Sequence, residues 1–129
     1  MNQKTYQRSR LKTLLLDQGL FAGIGNYLRS EVLFTSGLHP DRTVGSLLDE
    51  EKEKLAEQAL FLSRQSFHNP GITIELELYE NLRGVGFTRG QARHWVFTRN
   101  DQECHDCGDL IVHTRPAGRR LDYCPSCQN

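Results

Sequence analysis

Apolar positions recur at helical spacing in three stretches of the first half of the chain. Over residues 6–17, Leu11, Leu14 and Leu15 mark one face with Arg8, Arg10 and Lys12 interleaved, which predicts a helix. Gly19, Gly23 and Gly25 interrupt that pattern. Asn26 then supplies an N-cap, and Tyr27, Leu28, Val32 and Leu33 recur one turn apart until Gly37 closes a second predicted helix. Leu38-His39-Pro40-Asp41 is an exit turn. Residues 46–67 predict a third helix, acidic in its early turns, with Leu48, Leu55, Ala59 and Leu62 on one face.

Beyond the turn Asn69-Pro70-Gly71 the pattern is mixed. Ile72, Ile74, Leu76 and Leu78 alternate as in a strand, yet Ile74, Leu78 and Leu82 keep helical spacing. With Thr73 as cap and Gly84 as terminator, a short helix is preferred here. Gly84, Gly86 and Gly90 mark a loop, and His94-Trp95-Val96-Phe97 predicts a short strand. The longest apolar run, residues 59–62, is too short to span a membrane. Met1-Asn2-Gln3-Lys4 leads into polar residues and not into the apolar core of a signal peptide, so a soluble intracellular protein is expected.

The four cysteines occupy the end of the chain as Cys104-x2-Cys107, sixteen residues, and Cys124-x2-Cys127. Two knuckles at that separation are a zinc signature, because a two-residue spacer turns both sulfurs toward one metal and two knuckles complete a tetrahedron. Gly108 follows the first knuckle, where a positive φ would turn backbone amides toward sulfur. The intervening residues suit a β-hairpin, with Leu110-Ile111-Val112 out, a turn near Pro116-Ala117-Gly118, and Leu121-Asp122-Tyr123 back. Two disulfides are the alternative and would need an oxidising compartment. Four sulfurs leave no open position, so the expected Zn2+ is structural, with His105 and His113 left as surface residues. Either histidine could still compete as a ligand.

Sixteen Lys+Arg balance 16 Asp+Glu, but the charge is unevenly distributed. Residues 1–45 carry a balance of +3, residues 46–82 one of −5, and residues 83–129 one of +2. Every basic residue of the last block is Arg, which suits bidentate contact with phosphate, although taken alone compositional drift on a solvated surface is the preferred account. Gly23-Ile24-Gly25-Asn26 ahead of a helix is a second candidate site, since glycine amides and a helix N-terminus attract an anion. A capped interhelical turn is the plain alternative.

Leu16-Asp17-Gln18-Gly19-Leu20-Phe21-Ala22-Gly23-Ile24-Gly25-Asn26-Tyr27-Leu28-Arg29-Ser30-Glu31, with Gly37-Leu38-His39-Pro40 after it, resembles the helix–two-turns–helix of bacterial oxidised-base DNA glycosylases. This is the family of formamidopyrimidine-DNA glycosylase and endonuclease VIII. The ending from Phe97 through Cys104 to Tyr123-Cys124-Pro125-Ser126-Cys127-Gln128 resembles that family's zinc finger. Asn26-Tyr27-Leu28-Arg29 and Cys-Pro-Ser-Cys-Gln look closer to the endonuclease VIII branch, which handles oxidised pyrimidines.

The resemblance implies a mainly α fold with a small β-hairpin: a helical DNA-binding part, residues 1–90, and a four-cysteine finger, residues 91–129. It implies that Gly23, Gly25 and Asn26 bind backbone phosphate, that Arg119 or its neighbour Arg120 reaches DNA at the damaged nucleotide, and that Gln128 lies near the DNA. Glu31 would support the glycine turn. The implied role is DNA binding within a bifunctional glycosylase and AP lyase of base excision repair. Its partner would be double-stranded DNA with an oxidised base or abasic site, bound by a monomer in the bacterial cytoplasm and nucleoid. The family attacks the sugar with an N-terminal proline followed by glutamate, whereas Asn2 and Gln3 stand here and the catalytic β-rich domain has no counterpart. A C-terminal fragment without catalytic residues is therefore expected, a natural short version being less favoured. The competing expectation is a zinc-ribbon protein-interaction module that uses the acidic residues 46–82.

Overall fold

The structure is a computed structural model that describes residues 8–14 and 26–129. In chain order it contains α1 (Leu11–Leu14), α2 (Asn26–Ser36), a 3-10 turn (Val44–Ser46), α3 (Asp49–His68), α4 (Leu76–Gly84) and α5 (Arg89–Ala92). The hairpin follows, with β1 (Val112–Thr114), a 3-10 turn (Pro116–Gly118) and β2 (Leu121–Tyr123). The strands are antiparallel, with Val112 opposite Tyr123 and Thr114 opposite Leu121. The chain is thus mainly helical with one small β-hairpin, as the sequence predicts.

α2 is the central post. Leu28, Val32 and Leu33 pack with Leu11 of α1, with Leu55, Ala59 and Leu62 of α3, and with Leu121 of β2. On its other side Phe34 joins Val96, Ile111, Cys104 and Cys124 in a second apolar cluster. Each buried leucine contributes about 2 kcal/mol relative to exposure. Both clusters cross the boundary at residue 90, so the finger shares its core with the helices. The helix ends where the glycine predicts. Gly37 has φ 72°, its N–H donates to Phe34, and the Leu38 N–H donates to Leu33, which closes a Schellman motif.

Three expectations shift. α3 begins at Asp49 because Glu51 Oε1 accepts the Leu48 N–H at 2.9 Å and ends the preceding coil. Leu48 is consequently 62% exposed, and Leu47 enters the core in its place. α4 begins at Leu76 with Glu75 before it, and Thr73, the expected cap, is buried elsewhere; the helix ends at Gly84 as expected, with Gly86 in the left-handed region beyond it. Residues 94–97 form an irregular loop and no strand, because the N–H groups of Trp95, Val96 and Phe97 all donate to the Glu31 carboxylate. Among the described residues no helix is long and apolar enough to cross a membrane.

Candidate metal centre and nucleic-acid interface

The Sγ atoms of Cys104, Cys107, Cys124 and Cys127 all lie within 4.8 Å of one another. Cys104 and Cys127 are 3.9 Å apart, Cys107 and Cys124 3.4 Å. Zinc–sulfur bonds of about 2.3 Å in a tetrahedron require edges of about 3.8 Å, so the donor set fits one structural zinc ion. The knuckles also supply N–H donors to sulfur, from Asp106 to Cys104 at 3.4 Å and from Cys127 to Cys124 at 3.5 Å. Gly108 has the expected positive φ, 85°. The Asp109 amide holds the Cys107 thiol below its ordinary pKa. Burial pushes the Cys124 and Cys127 thiols up, and a coordinated cation is what makes such thiols ionise.

Neither histidine joins this cluster. His105 is half-buried and not a free surface group: its Nε2 donates to the Gln91 carbonyl at 3.0 Å, and Phe87 and Trp95 flank its ring. His113 is exposed near Asp122.

The second knuckle is tied to the turn after α2. Gln128 accepts the Cys124 N–H at 2.8 Å and donates to the Leu38 carbonyl at 2.9 Å. Asn129 and His39 form further backbone bonds across the same seam. Gln128 is 1% exposed. The expectation that it lies near DNA therefore meets a different arrangement, in which its amide fastens the finger to the helical body.

Three consecutive polar residues of α2, each 0–1% exposed, organise the rest. The Arg29 guanidinium donates to the carbonyls of Lys12 at 3.1 Å, Arg120 at 2.7 Å and Arg119 at 3.3 Å. Burial, then the nearby Arg119 charge, lowers its pKa to about 10, which leaves it charged at neutral pH. Ser30 Oγ accepts the Asp122 N–H at 3.1 Å. Glu31 accepts the three amides of the 95–97 loop and the Thr73 hydroxyl. It supports this loop, whereas the glycine turn it was expected to support lies outside the described residues. Burial raises the Glu31 pKa against those donors. His94, whose Nδ1 is 2.8 Å from Thr73 Oγ1, is pushed down to about 3 by burial and then by Arg93.

Arg29 thereby seats the hairpin tip beside the first turn of α2. Arg119 is exposed there, with no side-chain partner among the described residues. Arg120 is committed within the protein: it grips Asp122 at 2.9 and 3.2 Å and also bonds Asn100. Asp122, fully buried, additionally accepts the Thr98 N–H. Gly23 and Gly25, and the side chain of Asn26, lie outside the described residues. Lys12 bonds Asp41 at 2.5 Å.

From the sequence, Arg29, Ser30, Arg99 and Asp122 have no assigned role, and Thr73 has only that of a helix cap. A signal existed for the first two: α2 is apolar on opposite sides, so its intervening polar residues must be buried and partnered. Arg99 bonds the carbonyls of Trp95 and Glu103, joining the Glu31-held loop to the first knuckle.

These features define a class: a helical module with a docked four-cysteine zinc finger. Over residues 1–77 the chain matches the family described as Formamidopyrimidine-DNA glycosylase H2TH domain, and it belongs to that family. It is 36% identical over 123 residues to a formamidopyrimidine-DNA glycosylase of Prochlorococcus marinus (strain MIT 9211), covering 95% of this chain and 42% of that protein. The crystal structure of MutM (Fpg) from Thermus thermophilus matches with TM-score 0.75 and 34% identity, covering 94% of this chain and 45% of that one. A Lactococcus lactis Fpg in complex with abasic-site DNA matches with TM-score 0.74 and 26% identity, covering 98% and 48%. The chain spans less than half the length of these relatives.

Proposed function

We propose that this chain is the damaged-DNA-gripping module of a bifunctional glycosylase and AP lyase of base excision repair, acting at oxidised bases and abasic sites. The observation that supports the proposal is the bond from Arg29, in the first turns of α2, to the backbone of the hairpin tip that carries exposed Arg119. Backbone phosphate at the turn of Gly23, Gly25 and Asn26 would fix the register of the duplex, and Arg119 would probe the deformed nucleotide. Of the two tip arginines, Arg119 is favoured over Arg120, because its guanidinium has no partner among the described residues. The helical part, residues 1–90, and the finger, residues 91–129, would then contact the DNA together, from a monomer at the bacterial nucleoid. Base removal and strand cutting would belong to residues beyond this chain.

The endonuclease VIII assignment rests on Asn26-Tyr27-Leu28-Arg29 and the Cys-Pro-Ser-Cys-Gln ending alone. The relatives named above carry the formamidopyrimidine or Fpg name, so the proposal is confined to oxidised and abasic lesions, without a preference for pyrimidines. Fluorescence anisotropy of the zinc-loaded chain with abasic and undamaged duplexes tests it. The expected result is weak binding that favours the abasic duplex and falls steeply between about 50 and 200 mM salt, on the order of tenfold per decade for each phosphate contact. No binding at low salt would overturn it in favour of a protein-interaction module.

A further inference from the structure

We propose that Arg89 and Arg93 form a second phosphodiester clamp beside the first turn of α2; this rests on the DNA-binding reading above. Arg89 opens α5 and Arg93 follows its last residue, one turn later. The two side chains converge over Gly71. Arg89 Nη2 and Arg93 Nη1 stand 3.5 and 3.8 Å from the point that a Gly71 Cβ would occupy. Gly71 has φ +81°, so the position favours glycine and the space in front of both guanidinium groups stays clear of a side chain.

Two like charges that converge in this way repel unless an anion joins them. Among the described residues, Arg10, Lys12, Arg42 and Arg120 have carboxylate partners, but neither Arg89 nor Arg93 has one. The Nε atom of Arg93 is buried without a hydrogen-bond partner. A phosphodiester offers two non-bridging oxygens and one negative charge, which matches a pair of forked donors approaching from two sides. The position is also suitable. The Arg93 carbonyl accepts the Thr73 N–H, and the adjoining His94 ring stacks on Tyr27, the second residue of α2, at 5.4 Å. The clamp is therefore joined through His94 and Tyr27 to the first turn of α2, and a further phosphate of the same duplex is its proposed ligand.

The test is a salt series of anisotropy titrations with a labelled abasic duplex, comparing the zinc-loaded chain with R89Q/R93Q. The double variant is expected to bind about tenfold more weakly at low salt, and the slope of log K against log salt to shrink by about 0.9 for the lost phosphate contact. Arg89 is exposed, so R89Q alone keeps the test decisive should the double variant fail to fold; it is expected to lose about threefold. Variants that bind with the parent affinity and slope overturn the clamp and leave the DNA reading standing. A parent chain that binds no duplex at all overturns both.

Discussion

The Arg29 guanidinium donates to the Arg120 carbonyl at 2.7 Å, across a sequence separation of 91 residues. One buried cation in the central helix thus sets where the tip of the zinc-held hairpin stands. A lysine cannot reproduce this contact, because a point charge on a flexible stem does not span three carbonyls as a planar fork does. Arg29→Lys is expected to cost about 2 kcal/mol, since buried carbonyls lose their donor, and to weaken lesion binding while four-cysteine zinc stoichiometry is retained. Thermal melting checks the first part, and an unchanged melting temperature would remove Arg29 from its role as bracket.

The adjacent tip arginines should separate cleanly. Arg119 has no side-chain partner among the described residues, so Arg119→Ala is expected to leave the melting temperature within a degree or two and to weaken abasic-duplex binding about tenfold. Arg120 neutralises the buried Asp122, so Arg120→Ala is expected to destabilise the fold by about 2 kcal/mol, the loss of a cation from a buried carboxylate moderated by its own partial exposure. Parallel melting and binding curves for the two variants decide this. Equal behaviour of R119A and the parent toward DNA would move the contact away from the tip.

Acid stability should depend on His94. Its folded pKa of about 3 lies below the ordinary value of 6.5, so the unfolded chain binds a proton that the folded chain refuses. Its stabilising contribution is complete above pH 6.5 and declines as pH falls toward 3, by at most about 1.4 kcal/mol per pH unit. Glu31 acts with the opposite sign: its raised pKa means the folded state holds a proton longer, so its contribution declines as pH rises above 4.5. His94→Gln should flatten the fall in melting temperature between about pH 6.5 and 5.5, before zinc loss dominates. A variant that keeps the parent slope would shift the acid sensitivity to another group.

How much of this was legible in the sequence depends on how local each cause is. The knuckles, the hairpin with its turn, and the C-terminal end of α2 were readable because spacing and a positive-φ glycine act within a few residues. The loop at 94–97 looked like a strand because its residues favour one, while the acceptor of its amides, Glu31, is 64 to 66 residues away. Leu48 keeps the helical period but lies just before the point at which Glu51 lets the helix start. Gln128 carries a polar side chain next to a zinc ligand, and nothing local reveals that Leu38 will be its partner. The burial of Arg29, Ser30 and Glu31 follows from α2 being apolar on two sides, which is legible; their partners at residues 95–97 and 119–122 are not, because they lie 64 to 92 residues away.

The return of the finger to α2 decides what metal removal does. A finger that folded by itself would unravel on chelation and leave the helices intact. Here Leu121 belongs to the helical core, Phe34 of α2 packs with Cys104 and Cys124, and Gln128 with Asn129 binds the turn after α2. Removing zinc leaves four thiols, two of them with pKa values raised by burial, and nothing to hold the knuckles at 3.4 to 3.9 Å separations. Chelation at neutral pH is therefore expected to raise amide hydrogen exchange in residues 28–34 as well as 104–127, and to lower the melting temperature of the whole chain. Full protection of α2 after confirmed metal loss would show that the two clusters fold independently.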